Sequence, residues 1–213
     1  MASPRVLLLM GGADYHNEAQ HRDAFLDRRG SHIDLSMQLS DTKLSVIVDD
    51  SLAALTPAFL DQFDVIANCT TFLEPAPQQV DALISAVEGG KGYVGIHGAT
   101  ATFWNSEHYL DFIGTKFTRH DPYKVFRVEI TDPAHPITQG VTAFDVEDEL
   151  YECDGDYSRL HVLMEAEGHP LAYTRTVGRG RVYYNALGHD QQSLRHPSVK
   201  RLLRQGIIWA AGG

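Results

Sequence analysis

The sequence predicts an α/β fold: a mainly parallel sheet covered by helices, with extra antiparallel strands in the second half. Three observations carry that expectation. From Val6 to His97 short apolar strands alternate with helical segments, the pattern of a parallel sheet covered on both faces. After Thr102 the chain becomes a succession of strand-like runs. Two of these flank Val177-Gly178-Arg179-Gly180, which reads as a hairpin turn and so as antiparallel pairing.

The elements come in this order. Val6 to Met10 is a continuous apolar strand closed by Gly11-Gly12. Asp14-Tyr15-His16-Asn17 then leads into a helix that Asn17 would cap and whose inner face would hold Ala24 and Phe25. Ile33–Met37, Leu44–Val48 and Phe63–Asn68 are short strands, the last preceded by a helical piece around Pro57 to Asp61. The clearest helix begins at Pro77, places Val80, Leu83, Ile84 and Val87 at helical spacing, and stops at Gly89-Gly90. The strand Gly92 to His97 comes next. Ser106 would cap a short helix carrying Tyr109, Leu110 and Ile113. Lys124–Thr131, Asp145–Cys153, His161–Glu165, Leu171–Arg175 and Arg181–Leu187 read as strands. A final helix from Pro197 has an apolar face of Val199, Leu202, Leu203, Ile207 and Ala210. No repeat or linker interrupts the chain, so one domain over residues 1–213 is expected.

Composition narrows the function. The 213 residues carry a formal charge of −10, a field that repels a phosphate backbone, so nucleic acid is an unexpected partner. No apolar run is long enough to span a membrane, and Val6–Met10 is too short for a secretory signal. Two cysteines, Cys69 and Cys153, fit a reducing cytoplasm with both thiols free. Neither GxGxxG nor a P-loop occurs, which argues against a nucleotide cofactor.

The histidines are the candidate chemistry. His97 and His189 each close an apolar strand, and strand ends of a parallel sheet converge on one cleft. Gly98 after His97 would let the backbone bend sharply, as in nucleophile-elbow enzymes, with an imidazole in place of a thiol or hydroxyl. His16 comes after the first strand on the same edge, and His120 and His135 stand beside turn residues. Taken singly, any of these is a hydrogen-bonded structural histidine. Together they suit metal ligation or acid–base work. No HExxH or CxxC spacing is present, so a divalent metal such as zinc at His97 and His189 rests on convergence alone.

Carboxylates stand nearby. Asp190 comes directly after His189 and would either orient its imidazole or cap the next segment of chain. Glu147-Asp148-Glu149 is the pattern of a solvated charge cluster, but Leu150-Tyr151 suggests that Glu149 sits on an ordered strand near the cleft. Gly11-Gly12 reads either as a plain turn or as an anion nest of backbone N–H groups. Tyr15, Phe103, Trp104 and Tyr123 suit stacking on a sugar ring, or the core. Trp104 and the stretch from Phe112 to Tyr123 would cover the cleft or form a subunit contact, so a homo-oligomer stays open.

The chain resembles the ThuA-like (trehalose utilisation) family, a branch of the class I glutamine amidotransferase-like fold, over nearly its whole length. The resemblance rests on Gly11-Gly12 with His16, Gly92 to His97, Phe117 with Arg119 to Pro122, His135 to Gly140 and Asp148 to Tyr151. It continues through Gly178 to Val182, Leu187 to Asp190 and Gly206 to Ala211. It implies a flavodoxin-like three-layer sandwich. True amidotransferases read Gly-x-Cys-x-Gly at the elbow, where this chain has Gly95-Ile96-His97-Gly98-Ala99, and their partner histidine matches His189. Without a thiolate at that position, glutaminase activity is not expected.

The family's association with trehalose and 3-keto-sugars implies a carbohydrate ligand. His97, His189, Glu149 and Asp190 are then the expected catalytic groups, with Gly12, Tyr15, His16, Trp104 and His120 binding substrate. A non-catalytic sugar-binding or regulatory module that kept the cleft is the alternative. Amidotransferase chemistry through Cys69 or Cys153 is a distant third.

Overall fold

The computed structural model describes residues 4–13, 43–48 and 50–212. The expected helix after Asn17 and the strand Ile33–Met37 lie outside them, as do Asp14, Tyr15 and His16.

Strand β1 (Arg5–Gly12) is buried from Val6 through Gly11, and β3 (Val65–Thr71) is buried at every position. Strands covered on both faces become continuous apolar runs, and both pair in parallel with register Val6↔Val65 to Gly12↔Thr71. On the other side of β1 lies β2 (Lys43–Val48), also parallel. The segment before β3 holds α1 (Pro57–Leu60), and α2 (Pro77–Glu88) crosses from β3 to β4 (Gly92–Ile96). Ala76 and Gln79 close the α2 amino terminus with Pro77 at its first turn. Arg5 clamps the start of β1 to Asp64 through its backbone N–H and its guanidinium.

The rest of the sheet is antiparallel. After α3 (Glu107–Ile113) come β5 (Thr115–His120), β6 (Lys124–Ile130), β7 (Phe144–Asp148), β8 (Tyr151–Gly155), β9 (His161–Ala166), β10 (His169–Val177) and β11 (Gly180–Asn185). The order in the large sheet is β2-β1-β3-β4-β11-β10-β9-β6-β7. Strand β11 pairs in parallel with β4 and antiparallel with β10, so it is the seam between the two halves. The hairpin expected at Val177 to Gly180 forms that β10–β11 turn. Two helices, α4 (Gln191–Arg195) and α5 (Pro197–Ala210), end the chain.

Adjacent tyrosines on β11 show the layering. A Cβ built on Gly206 of α5 would lie 2.3 Å from the Tyr183 ring, so α5 sits directly on that face. On the opposite face Tyr184 packs against Tyr173, and Tyr93 of β4 meets Phe112 of α3 with ring centroids 5.0 Å apart. Successive side chains of a strand point to opposite faces, which places helices on both.

Three expectations need correction. Asp145–Cys153 is not one strand: β7 belongs to the large sheet, whereas β8 pairs with β5 in a separate two-stranded sheet. The break falls at Glu149-Leu150, because Asp148 turns inward and its carboxylate accepts the Glu149 N–H. Asp148 is therefore no member of a solvated cluster; it is fully buried. Finally, His97 begins a 3₁₀ turn, His97–Thr100, and the left-handed backbone falls on His97 itself (φ +44°), not on Gly98. Gly98 is needed for space: a Cβ there would lie 2.2 Å from Thr71 Oγ1 and 2.9 Å from the Thr70 carbonyl.

Candidate functional site

The elbow at His97 is a strained conformation, and buried donors hold it. A non-glycine residue at positive φ costs on the order of 1–3 kcal/mol unless its surroundings over-determine it. Each carbonyl of the 3₁₀ turn has a donor. Tyr184 OH donates to His97 O at 3.0 Å, Ala101 N to Gly98 O at 2.8 Å, Tyr109 OH to Ala99 O at 2.8 Å, and Trp104 Nε1 to Thr100 O at 3.0 Å. Behind Tyr109 runs a directed chain: Asn68 Nδ2 donates to Tyr93 OH at 3.1 Å, and Tyr93 lies 2.6 Å from Tyr109. Since Tyr109 gives its proton to Ala99, Tyr93 is the donor of that link. Burial pushes the Tyr109 and Tyr184 phenols well above their ordinary range, so both remain protonated donors. Gly95 makes room for this layer, its would-be Cβ lying 3.1 Å from the Tyr184 ring.

The His97 side chain is fully buried and its tautomer is set by a carbonyl. Nδ1 lies 2.8 Å from Ala186 O, and because a carbonyl only accepts, Nδ1 carries the proton. Nε2 then points at Glu149 Oε2, 3.4 Å away. His189 Nδ1 reaches the same oxygen at 3.1 Å, and His120 Nε2 reaches Oε1 at 3.5 Å. The His97 and His189 rings meet edge to face, centroids 5.3 Å apart, and Tyr151 packs on His97 at 4.2 Å. One carboxylate thus gathers three imidazoles from distant parts of the chain.

That gathering sets the electrostatics. Burial alone would push the Glu149 carboxyl up, but the His189 and His97 imidazoles beside it hold it far below the usual carboxylate range. Burial likewise works against charge on His189, and the Glu149 contact overcomes it, raising His189 above its ordinary value. The donor atoms of His97, Glu149 and His189 all lie within 4.8 Å of one another. Two imidazole nitrogens and a carboxylate oxygen are the set that catalytic zinc sites use, and the Nδ1–H of His97 on a carbonyl is the usual outer support of a metal-bound histidine. The residues fit a divalent ion.

Asp148 builds the site without lining it. Its Oδ1 accepts the N–H groups of Glu149 at 2.7 Å and His189 at 3.3 Å, and its Oδ2 accepts Gly188 N at 2.8 Å and the Ser193 hydroxyl. It ties the end of β7 to the turn after β11, which brings Glu149 and His189 together. Burial pushes this carboxyl up despite its four donors.

The remaining expected residues divide between the cluster and other places. His120 stands opposite Tyr151 in the β5–β8 pair and belongs to the cluster. Asp190 caps α4 through Ser193 N at 2.9 Å and accepts Tyr123 OH at 2.8 Å; it orients the helix start rather than an imidazole. The Gly12 N–H donates to Asp50 at 2.6 Å, so it is committed and offers no anion nest. Trp104 is part-exposed and packs edge-on against Phe72, whereas Phe103 is core. His135 lies elsewhere, against His161 and Trp209. Tyr15 and His16 lie outside the described residues. Sequence reasoning gave no role to Asp148, Phe72 or the Ala186 carbonyl; a carboxylate directly before Glu149 was the one available hint.

Above the cluster opens a cleft of about 320 Å³ lined by Thr71, Phe72, Phe117, His120, Glu149, Tyr151 and His189. That is the lower end of small-molecule sites. No helix among the described residues is long and apolar enough to cross a membrane.

Comparison with known proteins gives these relations. The family model for trehalose utilisation, ThuA, matches residues 5–210. A ThuA-like protein from Parabacteroides merdae ATCC 43184 superposes with a TM-score of 0.82 at 16% identity, covering 98% of this chain and 90% of that one. A second, from Bacteroides uniformis ATCC 8492, gives 0.72 at 18% identity, covering 97% and 91%. A GMP synthase protein from Thermoplasma acidophilum gives 0.61 at 11% identity, covering 98% and 95%. At these identities the likeness is one of fold. No curated protein matches the chain in sequence.

Proposed function

Because the chain belongs to the ThuA (trehalose utilisation) family, which points to a carbohydrate-related role, we propose that it is an enzyme acting on a disaccharide or 3-keto-sugar derivative. The convergence of His97, Glu149 and His189 within 4.8 Å, the last two lining a small open cleft, carries this reading. A divalent ion such as zinc, held by His97 Nε2, Glu149 and His189 Nδ1, would supply Lewis-acid polarisation of the sugar's carbonyl oxygen.

Proton transfer falls to His120. Its Nδ1 lies 2.7 Å from Asp121 O and must donate to that carbonyl, so in the neutral ring Nε2 carries the lone pair at the cleft. A C–H beside a keto group is acidified. His120 would take that proton as the electron pair moves onto the carbonyl oxygen. Return of the proton to a different face or carbon gives epimerisation or isomerisation, and expulsion of a neighbouring oxygen substituent gives elimination.

Two observations count against glutaminase chemistry in this reading. The elbow presents an imidazole. Burial pushes the Cys69 thiol up to about 12 and the Cys153 thiol up to about 11, so neither is a ready thiolate. Two free thiols also suit a cytoplasmic setting. The order β2-β1-β3-β4-β11 of the parallel strands is that of flavodoxin-like sheets, which supports the finer fold assignment.

The test pairs elemental analysis of protein purified without added metal with mass-spectrometric turnover of 3-keto-disaccharides. Folded His97→Ala, His120→Ala and His189→Ala variants should each lose turnover, and His97→Ala and His189→Ala should lose the metal. Turnover at the parental rate in all three sinks the proposal. Stabilisation by sugar with neither metal nor product marks a binding module instead.

A further inference from the structure

We propose that Phe72, buttressed by Trp104, forms a second sugar subsite beside the His–Glu cluster and makes the protein select a disaccharide over a monosaccharide. The inference rests on the carbohydrate reading above and concerns the ring that does not react. Phe72 comes directly after β3 and lines the same cleft as Glu149, His120 and His189. Phe72 is 51% exposed, although large apolar side chains elsewhere among the described residues are mostly buried.

The exposure is built into the backbone. Phe72 has φ +57° and Phe103 has φ +56°, two left-handed non-glycine residues facing each other. Reciprocal hydrogen bonds lock them: Phe72 N to Ala101 O and Phe103 N to Leu73 O, both 2.9 Å, with Leu73 N on Thr102 Oγ1 at 3.1 Å. Strain of this kind persists where the surroundings enforce it, and here it turns one ring into the core and the other out to the cleft.

The outward ring has a partner. Trp104 is 39% exposed and meets Phe72 edge-on, centroids 5.5 Å apart, with its indole pinned by the hydrogen bond to Thr100 O. Lys116 Nζ stands 5.4 Å from the indole centroid and places an ammonium donor beside this aromatic pair. An aromatic face beside a polar donor matches a pyranose, which presents a row of C–H groups on one face and hydroxyls at its edge. The cleft over the cluster is small, so the reacting ring fills it and the linked ring emerges over Phe72. Both aromatic side chains are already held in place, which keeps the entropic cost of binding low.

Calorimetric titration of the whole protein with trehalose and with glucose tests this. Wild type should bind trehalose about tenfold more tightly than glucose, the size of one aromatic contact. Phe72→Ala should bring that ratio to about twofold or less, with the larger loss on trehalose, and Phe72→Tyr should restore it. Trehalose should also quench Trp104 emission, a signal that Trp104→Phe abolishes. Equal wild-type affinity for the two sugars, or an unchanged ratio in Phe72→Ala, overturns the subsite and leaves the wider function standing. Binding of neither sugar overturns the subsite, and together with no turnover of 3-keto-disaccharides it overturns the wider function as well. A wild-type dimer that Phe72→Ala dissociates would show that the patch is a subunit contact, and also overturns the subsite.

Discussion

Replacing Asp148 by asparagine tests how this site is assembled, because the two side chains have nearly the same shape and differ in what they can accept. The carboxylate receives three backbone N–H groups and one hydroxyl, split between its two oxygens. An amide has one oxygen and one NH₂, so one half of this arrangement must fail. If the NH₂ takes the Oδ1 position, it faces the N–H groups of Glu149 and His189, and two buried donors lose their acceptor. If it takes the Oδ2 position, Gly188 N loses its acceptor, while the Ser193 hydroxyl can turn and accept from the amide. The second orientation is cheaper.

It leaves one unsatisfied buried donor, worth about 1–3 kcal/mol, and turns the remaining charge-assisted bonds into neutral ones, at about 1 kcal/mol more. Relief of the carboxylate's desolvation, visible in its raised pKa, returns part of that. The expected loss at neutral pH is about 2–4 kcal/mol, read as a fall in urea midpoint at constant m-value. In the proposed enzyme metal content and turnover should fall with it, since the oxygen that holds the Glu149 and His189 N–H groups loses its charge and Gly188, next to His189, loses its acceptor. A loss below about 0.5 kcal/mol would refute the argument, because it would mean that these donors find other partners at no cost.

Two further outcomes come from local packing and capping. Gly206→Ala gains helix propensity but drives a methyl into the Tyr183 ring, so it should destabilise by about 1–3 kcal/mol, seen as a lower Tm. His196 caps α5 by accepting Ser198 N at Nδ1, and it stacks on Phe144. Burial holds its pKa below the ordinary 6.5, so its stabilising contribution is present above that value and is lost as pH falls through the folded pKa. His196→Asn, which caps without titrating, should flatten the fall in stability below about pH 6.5 while leaving stability at pH 8 within about 0.5 kcal/mol.

The parts legible in advance share a physical character: each is a one-dimensional pattern. Continuous apolar runs marked β1 and β4, helical spacing marked α2 and α5, and Gly178 to Gly180 marked the β10–β11 turn. The family motifs marked His97, His189, His120 and the Asp148–Tyr151 segment for the same reason. Strand β5 was not resolved from its neighbours, because Lys116, Thr118 and Arg119 point outward and its burial alternates weakly. Glu149 was placed near the cleft for the wrong local reason, as part of an unbroken strand. The break that aims it depends on Asp148, whose acceptors are matched to donors about forty residues away.

Strands β1, β3 and β4, helices α2 and α5, the free thiols, the imidazole in the elbow and the family were thus encoded in neighbouring residues, where hydrophobic period and motif spacing can be read. Other features came only from the folded chain. Three imidazoles share one carboxylate, Gly12 is committed to Asp50, Asp190 is a helix cap, and Phe72 stands out over the cleft. The reason is that a polar group's role is set by which partner satisfies it, and here those partners are distant in sequence and meet only when the sheet closes.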